Sequence, residues 1–194
     1  MFRIKGYEEI KDYIRKNLSK SRAQHCFNVA DEAVLLAKKY GENKGKAYTA
    51  GLLHDAKKEE KPEELKQLVI SSNIDFEPEE LEAPQLWHAI AGSAFARDKF
   101  GVVDIDILNA IRYHTIAREG MSSLEKIIYL ADMISKDRTY SGVEKMREYV
   151  YESLDKGMLE AIKITIAKQI DKERKIPITT MRAYNYFISK REMD

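Results

Sequence analysis

Leu52-Leu53-His54-Asp55 ends an apolar run with an imidazole and a carboxylate side by side. An acid among leucines is costly unless it is paired or bound to a metal. Neighbours on a helix point about 100° apart, so the two side chains converge on one ion only where the helix ends or the ion lies between them. The chain holds four histidines, His25, His54, His88 and His114, each beside small or apolar residues. Asp132, inside Tyr129-Leu130-Ala131-Asp132, repeats the apolar setting of Asp55. Neutral imidazole and carboxylate suit iron, manganese or zinc. A bound metal lowers the pKa of its water, and a carboxylate can bridge two ions. Such a hydroxide, with cations around the phosphoryl oxygens, is what hydrolysis of a phosphate ester or anhydride needs.

Each residue also has an ordinary structural role open to it. His88 beside Trp87 can be packing, Asp132 can pair with Arg138 or a lysine, and Asp55 can face water at a helix end. Cys26, next to His25, behaves by default as a small buried hydrophobe. Trp87 and Tyr113 suit a core, and Lys57 to Lys61 a solvated face. Taken together, these readings require four histidines and two acids in apolar surroundings to be coincidental.

The elements that must position these residues read as helices. Ile10, Tyr13, Ile14 and Leu18 mark a helix from Tyr7. A second, capped by Ser19 or Ser21, runs to Tyr40 and ends at Gly41; it carries Arg22 and His25 one turn apart. A third spans Asn43 to Lys57 and includes His54-Asp55. Pro62 opens a helix to Ser71. An acidic connector with one short turn leads to Pro84, which opens the His88 helix ending before Gly101. Asp104 caps a helix through His114 and Thr115. Ser122 and Glu125 form a capping box for a helix apolar nearly all round, hence buried, which contains Asp132. A polar loop with Arg138 follows. Val143 to Lys172 makes one or two helices, with Gly157 as the candidate break. Ile176-Pro177-Ile178 is an extended link, and Thr179 or Thr180 caps a last helix. No segment alternates with period two. The expected fold is all-α, a compact bundle of eight to ten helices in one domain over residues 1–194.

The totals narrow the function. The chain has 194 residues, 34% charged and 44% hydrophobic, with a net charge of +1. That balance gives no bulk field for nucleic acid or a membrane. No run approaches a membrane span, and the amino-terminal residues lack the apolar core of a signal peptide. A lone cysteine forms no internal disulfide, which fits a reducing cytoplasm.

The order His25, His54-Asp55, His88, His114, Asp132 resembles the HD-domain superfamily of metal-dependent phosphohydrolases. Arg22-Ala23-Gln24-His25, Gly51-Leu52-Leu53-His54-Asp55-Ala56-Lys57-Lys58, His88-Ala89-Ile90-Ala91-Gly92, Tyr113-His114-Thr115, Tyr129-Leu130-Ala131-Asp132, Arg138 and Thr180-Met181-Arg182-Ala183-Tyr184-Asn185 look like its YqeK family. The likeness covers residues 10–188. The chain departs from the family pattern at Ala117, usually glycine, and at Ser135-Lys136, usually Glu-Pro; neither position is a ligand.

The resemblance implies symmetrical hydrolysis of diadenosine tetraphosphate to two ADP, with iron as cofactor and manganese or another divalent ion as a substitute. It implies that His25, His54, Asp55 and Asp132 hold the first metal. His88 and His114 hold a second metal or touch the phosphates. Arg22, Lys58 and Arg138 neutralise phosphoryl oxygens, and the segment Ile176 to Thr180, with Ile176 and Thr179 as contacts, borders the nucleotide. Asp55 is expected to orient the attacking metal-bound hydroxide, and Lys58 to sit three residues later on the same helix face. The partner is a small dinucleoside polyphosphate, and a homodimer is allowed. Two alternatives stay open: another nucleotide or cyclic dinucleotide as substrate, although the Gly-Tyr-Pro element of cyclic-dinucleotide HD enzymes is absent, and nucleotide sensing without turnover.

Overall fold

A computed structural model describes residues 6–193. Every regular element among them is helical, as expected, although the helices number eleven rather than eight to ten. They are α1 (Tyr7–Asn17), α2 (Lys20–Tyr40), α3 (Lys44–Leu53), α4 (Pro62–Ser71), α5 (Pro78–Leu81), α6 (Trp87–Phe100), α7 (Ile105–Arg112), α8 (Ser123–Ile134), α9 (Val143–Glu152), α10 (Leu154–Asp171) and α11 (Ile178–Met193), with a single 3-10 turn at Pro84–Leu86. The four-residue α5, closed by a capping box between Glu77 and Glu80, accounts for the extra helix.

The local signals act as their chemistry dictates. Ser19 accepts from the Arg22 amide at the start of α2, and Asp104 from the Asp106 amide at the start of α7. Ser122 and Glu125 exchange hydrogen bonds across the first turn of α8; such a cap contributes about 1 kcal/mol. α8 is the centre of the bundle. Its apolar residues Leu124, Ile127, Ile128, Leu130 and Ala131 are all buried, and it packs against α2, α3, α7, α9 and α10. On α11, Phe187 is buried, and Tyr184 and Ile188 pack against the core.

Gly51 explains how the His-Asp step reaches the interior. A Cβ there would lie 2.6 Å from the Cα of Ala30. Only glycine lets α3 approach α2 so closely, and that approach sets His54 and Asp55 against His25.

Four boundaries differ from the sequence expectation. α3 stops at Leu53 rather than Lys57, because the chain tightens into three-residue turns: the Ala56 amide bonds to Leu53 and the Lys58 amide to Asp55. Lys58 therefore returns to the site through a turn, not along a helix face. α7 stops at Arg112, leaving His114 on the following turn. The break between α9 and α10 falls at Ser153, which is extended. Gly157 instead lies inside α10, where a Cβ would stand 3.0 Å from Val150. α11 begins at Ile178, so Thr179 and Thr180 lie in its first turn rather than capping it.

Candidate metal centre

His25 from α2, His54 and Asp55 from the end of α3, His88 from α6, His114 after α7 and Asp132 from α8 converge between the helices. Three overlapping sets, His25–His54–Asp55, His54–His114–Asp132 and Asp55–His88–His114, each bring their ligand atoms within 4.8 Å of one another. Donors about 2.1 Å from a shared ion stand no more than about 4.2 Å apart, so small side-chain adjustments close each set.

Backbone carbonyls fix which nitrogen faces inward. His54 Nδ1–H donates to the Gly51 carbonyl at 2.7 Å, and His114 Nδ1–H donates to the Ile111 carbonyl at 2.7 Å. Both Nε2 lone pairs are thereby aimed at the centre. His54 Nε2 is buried with no hydrogen-bond partner. It stands 3.5 Å from Asp55 Oδ2, while His88 Nε2 and His114 Nε2 lie 3.2 and 3.4 Å from Asp55 Oδ1. The two Nε2 atoms of His88 and His114 are 3.2 Å apart. Inward lone pairs and carboxylates at such spacing repel one another until a cation stands among them. The donor set therefore fits a divalent metal.

His25 is held from both sides. Asp137 Oδ2 accepts from Nδ1 at 2.7 Å, and Nε2 faces Asp132 Oδ1 at 2.9 Å. Asn28 fixes the other Asp137 oxygen at 2.9 Å. Asp137 thus orients His25 as an outer-sphere carboxylate does for a metal-bound histidine. Sequence reading missed it: an acid in a polar loop is common, and its partner lies 112 positions away. The short interval between Asp132 and Arg138 was the available signal.

Cations surround the carboxylates. Arg22 Nη1 donates to Asp55 Oδ2 at 2.7 Å, Arg138 donates through Nη2 to Asp132 Oδ1, and Lys58 Nζ donates to His88 Nε2 at 3.1 Å. The Asp132–Arg138 pairing, one of the ordinary roles open from sequence, is realised here. Burial pushes His54 and His88 down to about 4 and lowers Lys58. Burial works against ionised Asp55, but the neighbouring imidazoles of His54, His114 and His88 outweigh it and hold the carboxyl well below its usual range. Burial likewise opposes a charged His25, yet Asp132 and Asp137 raise it.

The cluster's open edge is a cavity of about 260 Å³ lined by His114, Asp132, Arg138, Tyr140 and Lys168. It adjoins a smaller one that Pro177 and Thr180 border. Thr179 lies instead on a separate cavity with Arg112, Arg118 and Arg182, and Ile176 is half-buried on the α10–α11 link. Cys26 is buried and its thiol pushed up by burial. Trp87 is core, its Nε1–H donating to the Glu80 carbonyl.

An HD-domain sequence profile matches residues 22–137. The chain is 35% identical to the symmetrical bis(5'-nucleosyl)-tetraphosphatase of Bacillus subtilis, across 94% of this chain and 97% of that protein. It is 34% identical to the protein of the same name from Halalkalibacterium halodurans, across 90% and 93%. A crystal structure from Clostridium acetobutylicum, described as a predicted HD superfamily hydrolase involved in NAD metabolism, superposes with a TM-score of 0.93. The two chains are 38% identical over 97% of this chain and 100% of that one.

Proposed function

This chain belongs to the HD-domain family, and from that premise we propose that it hydrolyses diadenosine tetraphosphate symmetrically, giving two ADP. The observation that carries the reading is the convergence of inward Nε2 atoms and two carboxylates around the unpartnered His54 Nε2, next to Arg22, Lys58 and Arg138. Proteins of nearly full-length similarity bear the name of that activity.

In this reading His25, His54, Asp55 and Asp132 would hold iron, with manganese or another divalent ion able to replace it. His88 and His114 would hold a second ion or bind phosphoryl oxygen. When bound, such an ion lowers the pKa of a coordinated water and neutralises phosphoryl charge. The chain's own residues do the rest. Asp55 orients the water toward one inner phosphorus of the tetraphosphate. The water oxygen, its proton released to solvent, forms a bond to that phosphorus as the central bridging P–O bond breaks, and the electron pair of that bond leaves with ADP. Lys58 and Arg138 face the charge that develops on the departing diphosphate, so a strong general acid is unnecessary. Arg22 turns from Asp55 to the transferred phosphoryl oxygens once a cation shares that carboxylate. Asp137 keeps His25 Nε2 aimed inward throughout. Residues 1–194 act as one domain in this scheme. A reducing cytoplasm suits the buried, unpaired Cys26, and no helix among the described residues is long and apolar enough to cross a membrane.

The test is anaerobic purification with metal analysis, followed by diadenosine tetraphosphate and chromatography of the products. ADP as the only nucleotide product, from iron-loaded protein, is the expected result. AMP with ATP would place the attack on an outer phosphorus and overturn the assignment.

A further inference from the structure

The cavity beside Asp132 does not end at the metal ligands. Thr115 and Thr165 line both it and the smaller cavity of about 110 Å³ between the loop after α7 and the α10–α11 corner. The two form one groove whose character changes along its length. At the cluster end stand the cations Arg138 and Lys168. At the far end stand Gln169, Thr180, Leu86 and Pro177, polar but uncharged or apolar.

Three buried polar atoms on this groove have no hydrogen-bond partner: Thr115 Oγ1, Tyr140 Oη and Gln169 Oε1. Most buried polar groups are paired, and an unpaired one is costly. Three along one groove, none of them a metal-ligand candidate, mark a place where something else supplies the partners. The neighbouring Thr165 makes the contrast plain, since its hydroxyl is satisfied by Tyr129 at 3.2 Å.

The sequence from cation to neutral donor and acceptor to apolar wall is also the sequence phosphate, sugar, base. We propose that this groove holds the nucleoside of one half of the substrate and that Gln169 reads the edge of its base. The proposal rests on the nucleotide-hydrolase reading for the chemistry at the phosphate end. A carboxamide offers an acceptor and a donor side by side, the complement of the exocyclic amine and adjacent ring nitrogen of adenine. Thr115 and Tyr140 lie nearer the cluster and meet the ribose.

Equilibrium binding to the metal-loaded protein tests this without requiring turnover. The probes are ADP and methyl diphosphate, which carries the same diphosphate but no nucleoside. ADP is expected to bind at least about tenfold tighter. Gln169→Ala is expected to remove most of that advantage, about tenfold as for loss of one bidentate base contact, while methyl diphosphate affinity stays the same. Gln169→Glu, an acceptor only, is expected to shift preference from ADP toward GDP. Equal wild-type affinity for the two probes, or equal weakening of both in Gln169→Ala, would overturn the proposal. So would an unchanged ADP-to-GDP ratio in Gln169→Glu. A nucleoside-dependent loss without cleavage of diadenosine tetraphosphate would leave the groove assignment standing and overturn the hydrolase reading. Cleavage without any ADP advantage would do the reverse.

Discussion

Two clusters of buried charge hang from the end of α7, one through Arg112 and one through His114. In the first, Arg112 Nη2 donates to both Glu80 oxygens at 2.8 and 2.6 Å and also reaches the Asp75 carbonyl. The Arg112 guanidinium lies 4.8 Å from the Tyr113 ring. One positive charge meets one negative charge, and the pair staples the α5 connector to the bundle. In the second, lone pairs and carboxylates face one another across His54, His88, His114 and Asp55, and their cations come from the rim. Buried charge is therefore a poor marker of function by itself. What separates the clusters is that the Arg112 pair is neutralised by its own members, whereas the His–Asp set is complete only with an added cation.

The sharpest way to break this contrast is to remove one acid from each cluster. Asp55→Ala is expected to abolish metal binding and turnover together while the protein stays folded. Retained hydrolysis in that variant would remove Asp55 from the scheme. Glu80→Ala should do the opposite. It strands the Arg112 charge in the interior, which costs about 3–5 kcal/mol, readable by denaturant unfolding, while metal affinity per folded molecule is unchanged. A Glu80→Ala protein as stable as wild type would mean that the pair is not a structural staple.

Asp137→Ala probes the boundary between holding and being held. It removes the acceptor for His25 Nδ1 but no ligand, so metal affinity should fall about 10–100-fold. An isotherm matching wild type would deny Asp137 its orienting role.

The smallest effect concerns pH in the metal-free protein. Burial holds His54 and His88 at about 4 against an ordinary 6.5. Each contributes stability in full above pH 6.5 and loses it as pH falls toward 4. His25, raised from 6.5 by Asp132 and Asp137 against the opposing effect of burial, contributes in the other sense: present below 6.5 and lost above its raised pKa. The His25 contribution is already complete below 6.5 and does not oppose this change, so the Tm of metal-free protein should decline as pH falls from 6.5 toward 4. A flat Tm there would contradict the neutral state assigned to His54 and His88.

The sequence carried much of this. Ser19, Asp104 and the Ser122–Glu125 box are local signals, and they cap the helices they precede. The His and Asp order was legible because those residue types are rare in apolar surroundings and, apart from the adjacent His54 and Asp55, each comes from a different part of the bundle. Other features depend on contacts that no local pattern encodes. α3 ends at Leu53 because the His54 ring takes the Gly51 carbonyl. α10 contains Gly157 because α9 presses on it through Val150. Tyr140 and Gln169 are ordinary polar residues until the groove shows that their atoms lack partners. Thr179 and Thr180, expected as caps, lie in the first turn because α11 begins at Ile178.

Hydrolysis at the His–Asp cluster depends on a bound cation. The most direct measurement is anaerobic titration of chelator-stripped wild-type protein with Fe²⁺, following bound metal and ADP release from diadenosine tetraphosphate in the same samples. No turnover is expected in the stripped protein, with a rate that rises with occupancy until the site is full. Undiminished turnover in excess chelator, with no metal bound, would contradict it.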